Sequence, residues 1–335
     1  MERRGMRRGR PMRDISLLVT TARRKLLIPS SARPASFRAG LKADADYGAT
    51  AEPDWRRTEF GVRRLEVDGR GVNVIDLGSG GRTPAVFVHG LGGTWKNWLE
   101  NLPAFALGRR VIALDLPGFG ESELPAGEIS ISGYARCVED VCRQLGLAEI
   151  DLIGNSMGGF VSAELALTRP DRVRRLALVD AAGISIVDLL RWPARTAMRL
   201  IAVQAGWGSA QRSILLRPRL RHLAFRAVMR HPTRLAIDLV AEQAGGPGMP
   251  GFLLAMDALL SYDFRDRLSE IRCPTLIVHG EEDMLVPVAD AHEWARLIEG
   301  SQLLLLKDTG HVPMLERPRT FNAALTEFLD GYPHG

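Results

Sequence analysis

Three side chains, in a fixed order along the chain, could together make an alcohol nucleophilic. Ser156 lies in Gly154-Asn-Ser-Met-Gly158, between the alternating run Glu149–Ile153 and a stretch to Thr168 with apolar residues at helical spacing. Small residues around the serine permit a sharp strand-to-helix turn and a close approach of other backbone. The new helix aims its free N–H groups at the same place. Five residues of this type also describe a plain strand–helix turn, so the rest of the chain must decide. A serine hydroxyl needs a base within reach, a group orienting that base, and donors for the oxyanion that develops.

Each of these has a candidate. His311 follows the apolar run 303–306 after a short Lys-Asp-Thr-Gly loop, whereas His292 falls within a helical pattern and His334 in the tail. Asp283 lies just beyond the buried-strand pattern at Thr275–Val278 and is the preferred acid. Glu281 and Glu282 read as solvated loop charges, and Asp180, ending the preceding strand, is a competitor at the same sheet edge. The order Ser…Asp…His suits a serine raised on a strand–helix corner. One oxyanion donor is the N–H of Met157; the other is Leu91 N–H, in the loop His89-Gly90-Leu91-Gly92-Gly93. His89 precedes the serine and reads as a brace for that loop. Trp95 and Trp98 would either wall the site or pack beneath it.

The elements that must position these groups alternate. Val62–Val67 and Val72–Leu77 look like a hairpin, Pro84–Val88 like a buried strand, and a helix is expected over Lys96–Leu107. Strand Arg110–Leu114, helix Ile129–Leu145, strand Val173–Val179, helix Ala289–Ile298, strand Gln302–Leu306 and helix Pro318–Leu329 complete the pattern. This is an α/β chain with a doubly wound, mostly parallel sheet and an antiparallel start. Residues 183–265 break the alternation as a helical insertion, expected to cap the carboxyl edge of the sheet. Its Phe252, with Leu189, Leu190, Ile201, Leu253 and Met256, would supply an apolar acyl pocket or simply pack within the cap. The core is then 56–182 with 266–335.

Length and composition set bounds. At 335 residues the chain can bury a large core and carry one inserted segment. No apolar run approaches the length of a membrane span. Cys137, Cys142 and Cys273 are odd in number and form no C-x-x-C pair, which fits a reducing compartment and a cytoplasmic setting. The net charge of +5 rests almost wholly on arginine, a whole-chain bias, and no nucleic-acid-binding motif accompanies it. Residues 1–55 form a basic extension. Arginines crowd 1–13, Asp14–Ile28 reads as an amphipathic helix that would either lie on a membrane or pack on the domain, and 29–55 reads as a loose connector.

From about residue 60 to 330 the chain resembles the α/β-hydrolase fold superfamily, in its serine-nucleophile, esterase- and lipase-like branch. The resemblance rests on His89-Gly90-Leu-Gly-Gly93, Asp115-Leu-Pro-Gly-Phe-Gly-Glu-Ser122, Gly154-Asn-Ser-Met-Gly-Gly159, Gly280-Glu-Glu-Asp283 and Gly310-His311. It implies that Ser156, Asp283 and His311 form a triad, and that the insertion is a cap. The expected activity is hydrolysis of a small apolar ester or acyl substrate through an acyl-enzyme, with no metal or other cofactor. Second comes carbon–carbon bond hydrolysis of ring-cleavage products, whose enzymes usually carry a Gly-Pro-Gly loop and an aromatic after the histidine. Here those places hold Leu91-Gly92-Gly93 and Val312. Perhydrolase chemistry shares the triad, and a non-catalytic ligand-binding protein is a third class.

Overall fold

In the computed structural model, residues 46–185, 212–244 and 246–331 are described. The Asp14–Ile28 helix, Leu189, Leu190, Ile201 and His334 lie outside them. The described residues all fall within one compact unit. Its strands are β1 (Val62–Val67), β2 (Arg70–Val88), β3 (Arg109–Leu114), β4 (Ile150–Asn155), β5 (Val173–Val179), β6 (Thr275–Gly280) and β7 (Gln302–Leu306). The longer helices are α1 (Ile131–Gln144), α2 (Met157–Thr168), α3 (Phe252–Ser261), α4 (Val288–Leu297) and α5 (Pro318–Asp330).

The sheet is mostly parallel, as the alternation predicts. β2 runs antiparallel to β1, and β4, β5, β6 and β7 follow in parallel. The expected hairpin strand and the buried strand at 84–88 are one long strand. Between them Gly-Ser-Gly-Gly-Arg, at 78–82, carries the strand through a series of register shifts, with Gly78 at a left-handed φ of 74°. β3 meets both arms: Val74 and Leu77 lie opposite Leu114 and Val111, while Ala85 and Val88 lie opposite Val111 and Leu114. A helix over Lys96–Leu107 does not form as one piece. A 3-10 turn at Trp95–Trp98 gives way to a short helix, Leu102–Ala106, with Pro103 in its first turn.

Strand alternation builds two apolar layers. Leu176 and Leu178 of β5 face the layer holding Tyr134, Val138, Phe160, Val161 and Trp294, and Ala177 and Val179 face the layer holding Trp98, Leu102, Phe321 and Leu325. Each large side chain so enclosed contributes roughly 1.5–3 kcal/mol. α1 starts where Ser130 Oγ accepts from Gly133 N–H at 3.1 Å, and it buries Tyr134, Val138 and Val141 against the sheet.

Residues 46–55 are not a loose connector. Tyr47 and Ala51 are buried, and Tyr47 Oη donates to Glu316 Oε2 at 2.5 Å while accepting from His231 N–H at 2.7 Å. Ala51 N–H and Trp55 Nε1–H both donate to Glu100. Burial raises both the Tyr47 hydroxyl and the Glu316 carboxyl from their ordinary pKa values. Losing one donor in this enclosed network costs about 1–3 kcal/mol. Tyr47→Phe is therefore expected to lower unfolding free energy by that amount in a urea titration; an unchanged midpoint would show that the 46–55 segment does not support the core.

Candidate active site

Ser156 stands at the end of β4, where Asn155 closes the strand and Met157 opens α2. Its φ of 55° and ψ of −119° leave the usual regions, a strain that a non-glycine residue accepts only where its surroundings over-determine it. Here they do. Ser156 N–H donates to Val179 O at 2.9 Å, and its carbonyl accepts from Phe160 N–H and Ala182 N–H, each at 3.2 Å. A Cβ on Gly158 would collide with the carbonyls of Val88 and His89, and one on Gly154 would collide with Gly158 O. The glycines let α2 press against the end of β2 while the serine is pushed out between them. Ser156 itself is buried, with 9% exposure remaining.

The histidine loop is tied to the same corner. Asn155 Nδ2 donates to His311 O at 3.1 Å and to Val179 O at 3.1 Å, joining the end of β4 to the loop after β7. His311 Nδ1 and Asp283 Oδ2 are 2.6 Å apart, with the Asp283 carboxyl fully buried. Asp283 Oδ1 accepts from Leu285 N–H at 2.7 Å and Val286 N–H at 3.1 Å. Burial pushes the Asp283 carboxyl up, but His311 and the Leu285 N–H outweigh it and hold it below its ordinary value. An ionised Asp283 requires the His311 proton on Nδ1, which leaves Nε2 as an acceptor. Glu316 secures the loop from behind, its Oε1 accepting from Gly310 N–H at 2.9 Å and its Oε2 from Arg230 N–H at 2.8 Å. His311 N–H itself donates to Val228 O at 2.9 Å, so the insertion helps to hold the histidine.

The glycine loop after β2 completes the corner. Gly93 N–H donates to Gly90 O at 3.0 Å across a tight turn, with Gly92 at φ 72°, as a left-handed third position requires. A Cβ on Gly90 would sit 3.0 Å from Ser156 Cβ, so this loop lies directly against the serine. His89 braces it, as expected. Leu116 N–H donates to His89 Nε2 at 2.9 Å, so the proton sits on Nδ1, which donates to Gly90 O at 2.8 Å. Burial lowers the His89 pKa and keeps the ring neutral. Asp115 adds a second tie, accepting from Trp95 N–H at 2.8 Å, Asn73 Nδ2 at 2.9 Å and Glu121 N–H at 3.0 Å.

The remaining predicted residues separate. Leu91 is partly buried in the glycine loop and Met157 is fully buried as the first residue of α2. Phe252 reaches the site, because a Cβ on Gly92 would meet its ring at 3.0 Å. Trp98 does not: it is 0% exposed and packs on Phe87 and Phe321, so a substrate contact at Trp98 is withdrawn in favour of core packing. Trp95 leans on Phe60 at 4.9 Å. Asn155, Asp115, Val228 and Glu316 were missed as positioning groups. Asn155 and Asp115 stand inside the quoted motifs, but nothing local marks Glu316 or Val228. One trio among the described residues, Asp180, His279 and Asp283, has potential metal-ligand atoms within 4.8 Å of one another. His279 Nε2 donates to Val286 O at 3.1 Å, so it carries a proton and has no lone pair for a metal.

With this geometry in place, comparison with known proteins identifies the class. The profile of the α/β hydrolase fold family matches residues 83–318, and the chain belongs to that family. It is 32% identical over 286 residues to a 2-hydroxy-6-oxo-2,4-heptadienoate hydrolase of Pseudomonas putida, covering 80% of this chain and 95% of that one. It is 30% identical to a 2-hydroxymuconate semialdehyde hydrolase of a Pseudomonas species, covering 80% and 93%. Among solved structures it is similar to an N-acyl homoserine lactone degrading enzyme, with a TM-score of 0.67 and 29% identity, covering 79% of this chain and 100% of that one. No helix among the described residues is long and apolar enough to cross a membrane.

His89→Ala removes the imidazole bridge between Leu116 N–H and Gly90 O and leaves the Asp115 tie in place. We expect kcat to fall roughly 10- to 100-fold with KM little changed, as a displaced reacting group would cause. Steady-state kinetics on the folded variant check this; full activity would show that His89 does not position the loop.

Proposed function

We propose that this chain is a serine hydrolase in which Ser156, His311 and Asp283 act together. The observation that carries the reading is the 2.6 Å His311–Asp283 bond, on a loop joined through Asn155 to the strained turn that presents Ser156. His311 Nε2 takes the Ser156 hydroxyl proton as Oγ attacks a carbonyl carbon, and Asp283 steadies the imidazolium. The Leu91 and Met157 N–H groups receive the oxyanion, each worth roughly 3–4 kcal/mol of barrier. Collapse of the tetrahedral intermediate breaks the bond to the leaving group, which takes the proton from His311. Water then repeats the attack on the acyl-enzyme and frees Ser156.

For the bond cleaved, carbon–carbon hydrolysis of a ring-cleavage dienoate now ranks first, ahead of simple ester hydrolysis. The support is that the relatives matched over nearly their whole length are hydrolases of this kind. The chemistry needs no change at the triad. Once the 2-hydroxyl proton of the dienol has moved to C5, the C5–C6 bond can break with a conjugated dienolate leaving where an alkoxide leaves from an ester, and His311 returns the proton in both cases. Ester hydrolysis stays as a second reading because Leu91-Gly92-Gly93 and Val312 depart from the usual loop and aromatic of the first class. Phe252, lying against Gly92, would form one apolar wall of the substrate space under either reading.

The full chain should be offered 2-hydroxy-6-oxo-hepta-2,4-dienoate and a series of 4-nitrophenyl esters from acetyl to long acyl. The expected outcome is a higher kcat/KM for the dienoate, with Ser156→Ala reducing it by roughly 10³-fold or more. A preference for any ester would restore the ester reading. Saturable binding of either substrate without turnover would favour a non-catalytic binding protein.

A further inference from the structure

Asp180 ends β5 beside the catalytic acid, and the mechanism above does not use it. It is 0% exposed, with a left-handed φ of 43° that turns its side chain off the strand end. Its Oδ1 accepts from Gly280 N–H at 2.9 Å, while its Oδ2 is buried with no hydrogen-bond partner. The groups facing it are Asp283, within 4.8 Å, and His279, whose Nε2 lies 3.7 Å from Asp180 and 3.8 Å from Asp283. Two ionised carboxylates cannot share such an enclosure, and one must hold a proton. Asp283 is the poorer holder, because its oxygens already accept from His311, Leu285 and Val286. Asp283 Oδ2 has only the His311 donor and retains room for one more.

We propose that Asp180 is a positioning residue for the triad, a neutral carboxylic acid whose Oδ2–H is given to Asp283 Oδ2. The buried oxygen without a partner then becomes a donor, and the catalytic carboxylate is held between a proton donor behind it and His311 in front. Burial, with the nearby charges of Asp283 and the more remote Glu316, raises Asp180 well above its ordinary value, in the direction the arrangement needs. His279 stays neutral because burial lowers it, so it gives no cation that would ionise Asp180. The role rests on Asp283 being the triad acid; the protonation itself does not.

Difference infrared spectroscopy at pH 7 on the full chain, wild type minus Asp180→Asn, should show the carbonyl stretch of a protonated carboxyl. Its replacement by carboxylate bands would overturn the proposal. Asp180→Ala should lower kcat roughly 10- to 100-fold with KM retained, a loss of orientation rather than binding. Asp180→Asn, whose amide still donates, should recover most of that loss and keep the acidic limb of the pH–rate profile in place. An Asn variant no better than Ala, or an acidic limb moved to lower pH by loss of a negative charge, would contradict the assignment. If the band is present but Ser156→Ala retains activity, the carboxyl pair stands and the triad reading falls.

Discussion

Everything at the candidate site depends on how closely α2 can approach the end of β2. The contact is backbone on backbone, Gly158 against the carbonyls of Val88 and His89, and any side chain there would separate the two elements. With the gap closed, the chain leaves β4 through a turn that puts Ser156 at positive φ. Hydrogen bonds from Ala182 and Phe160 to its carbonyl hold the strain in place. The same closeness brings the glycine loop within van der Waals distance of the serine. One packing constraint therefore sets both Ser156 and the glycine-loop backbone beside it.

Around that corner, buried polar groups do what loops alone cannot. Glu316 pins the histidine loop, His89 and Asp115 pin the glycine loop, and Asn155 links the serine strand to the histidine. A satisfied buried network is stiff because each broken bond strands a partner away from water. The helical insertion takes part through Val228 and Arg230, and again where Gly246 and Phe252 press on Gly92. A change of packing in the insertion would reach His311 and the glycine loop through these few contacts.

The fold was legible where burial imposes a simple period. β6 and the 84–88 arm of β2 read as continuous apolar runs because both faces are covered, and α1 shows its cap and its buried stripe. Legibility failed where local chemistry points one way and tertiary pairing another. The Gly-Ser-Gly-Gly-Arg stretch at 78–82 falls between two strands expected to be separate, yet pairing with β3 joins all three as one strand. Pro103 and Asn101 break the helix expected after Lys96. In the site, the residues contributed from strand ends were readable from their order and edge. Tyr47 and Glu316 meet across 269 positions of sequence, and no local pattern signals such a pair. Trp98 gives no sequence cue to which of the two faces it serves.

Family membership is carried by the profile match and by relatives aligned over nearly their full length, while the choice of bond is a separate matter of what fits beneath Phe252 and the glycine loop. The central claim is narrower: one serine, made nucleophilic by a histidine held on a buried aspartate. Intact-mass and peptide-mapping spectrometry after treatment with a fluorophosphonate tests it most directly. The account predicts a single covalent adduct on the peptide containing Ser156, lost in His311→Gln at neutral pH. No adduct, or one on another residue, would contradict it.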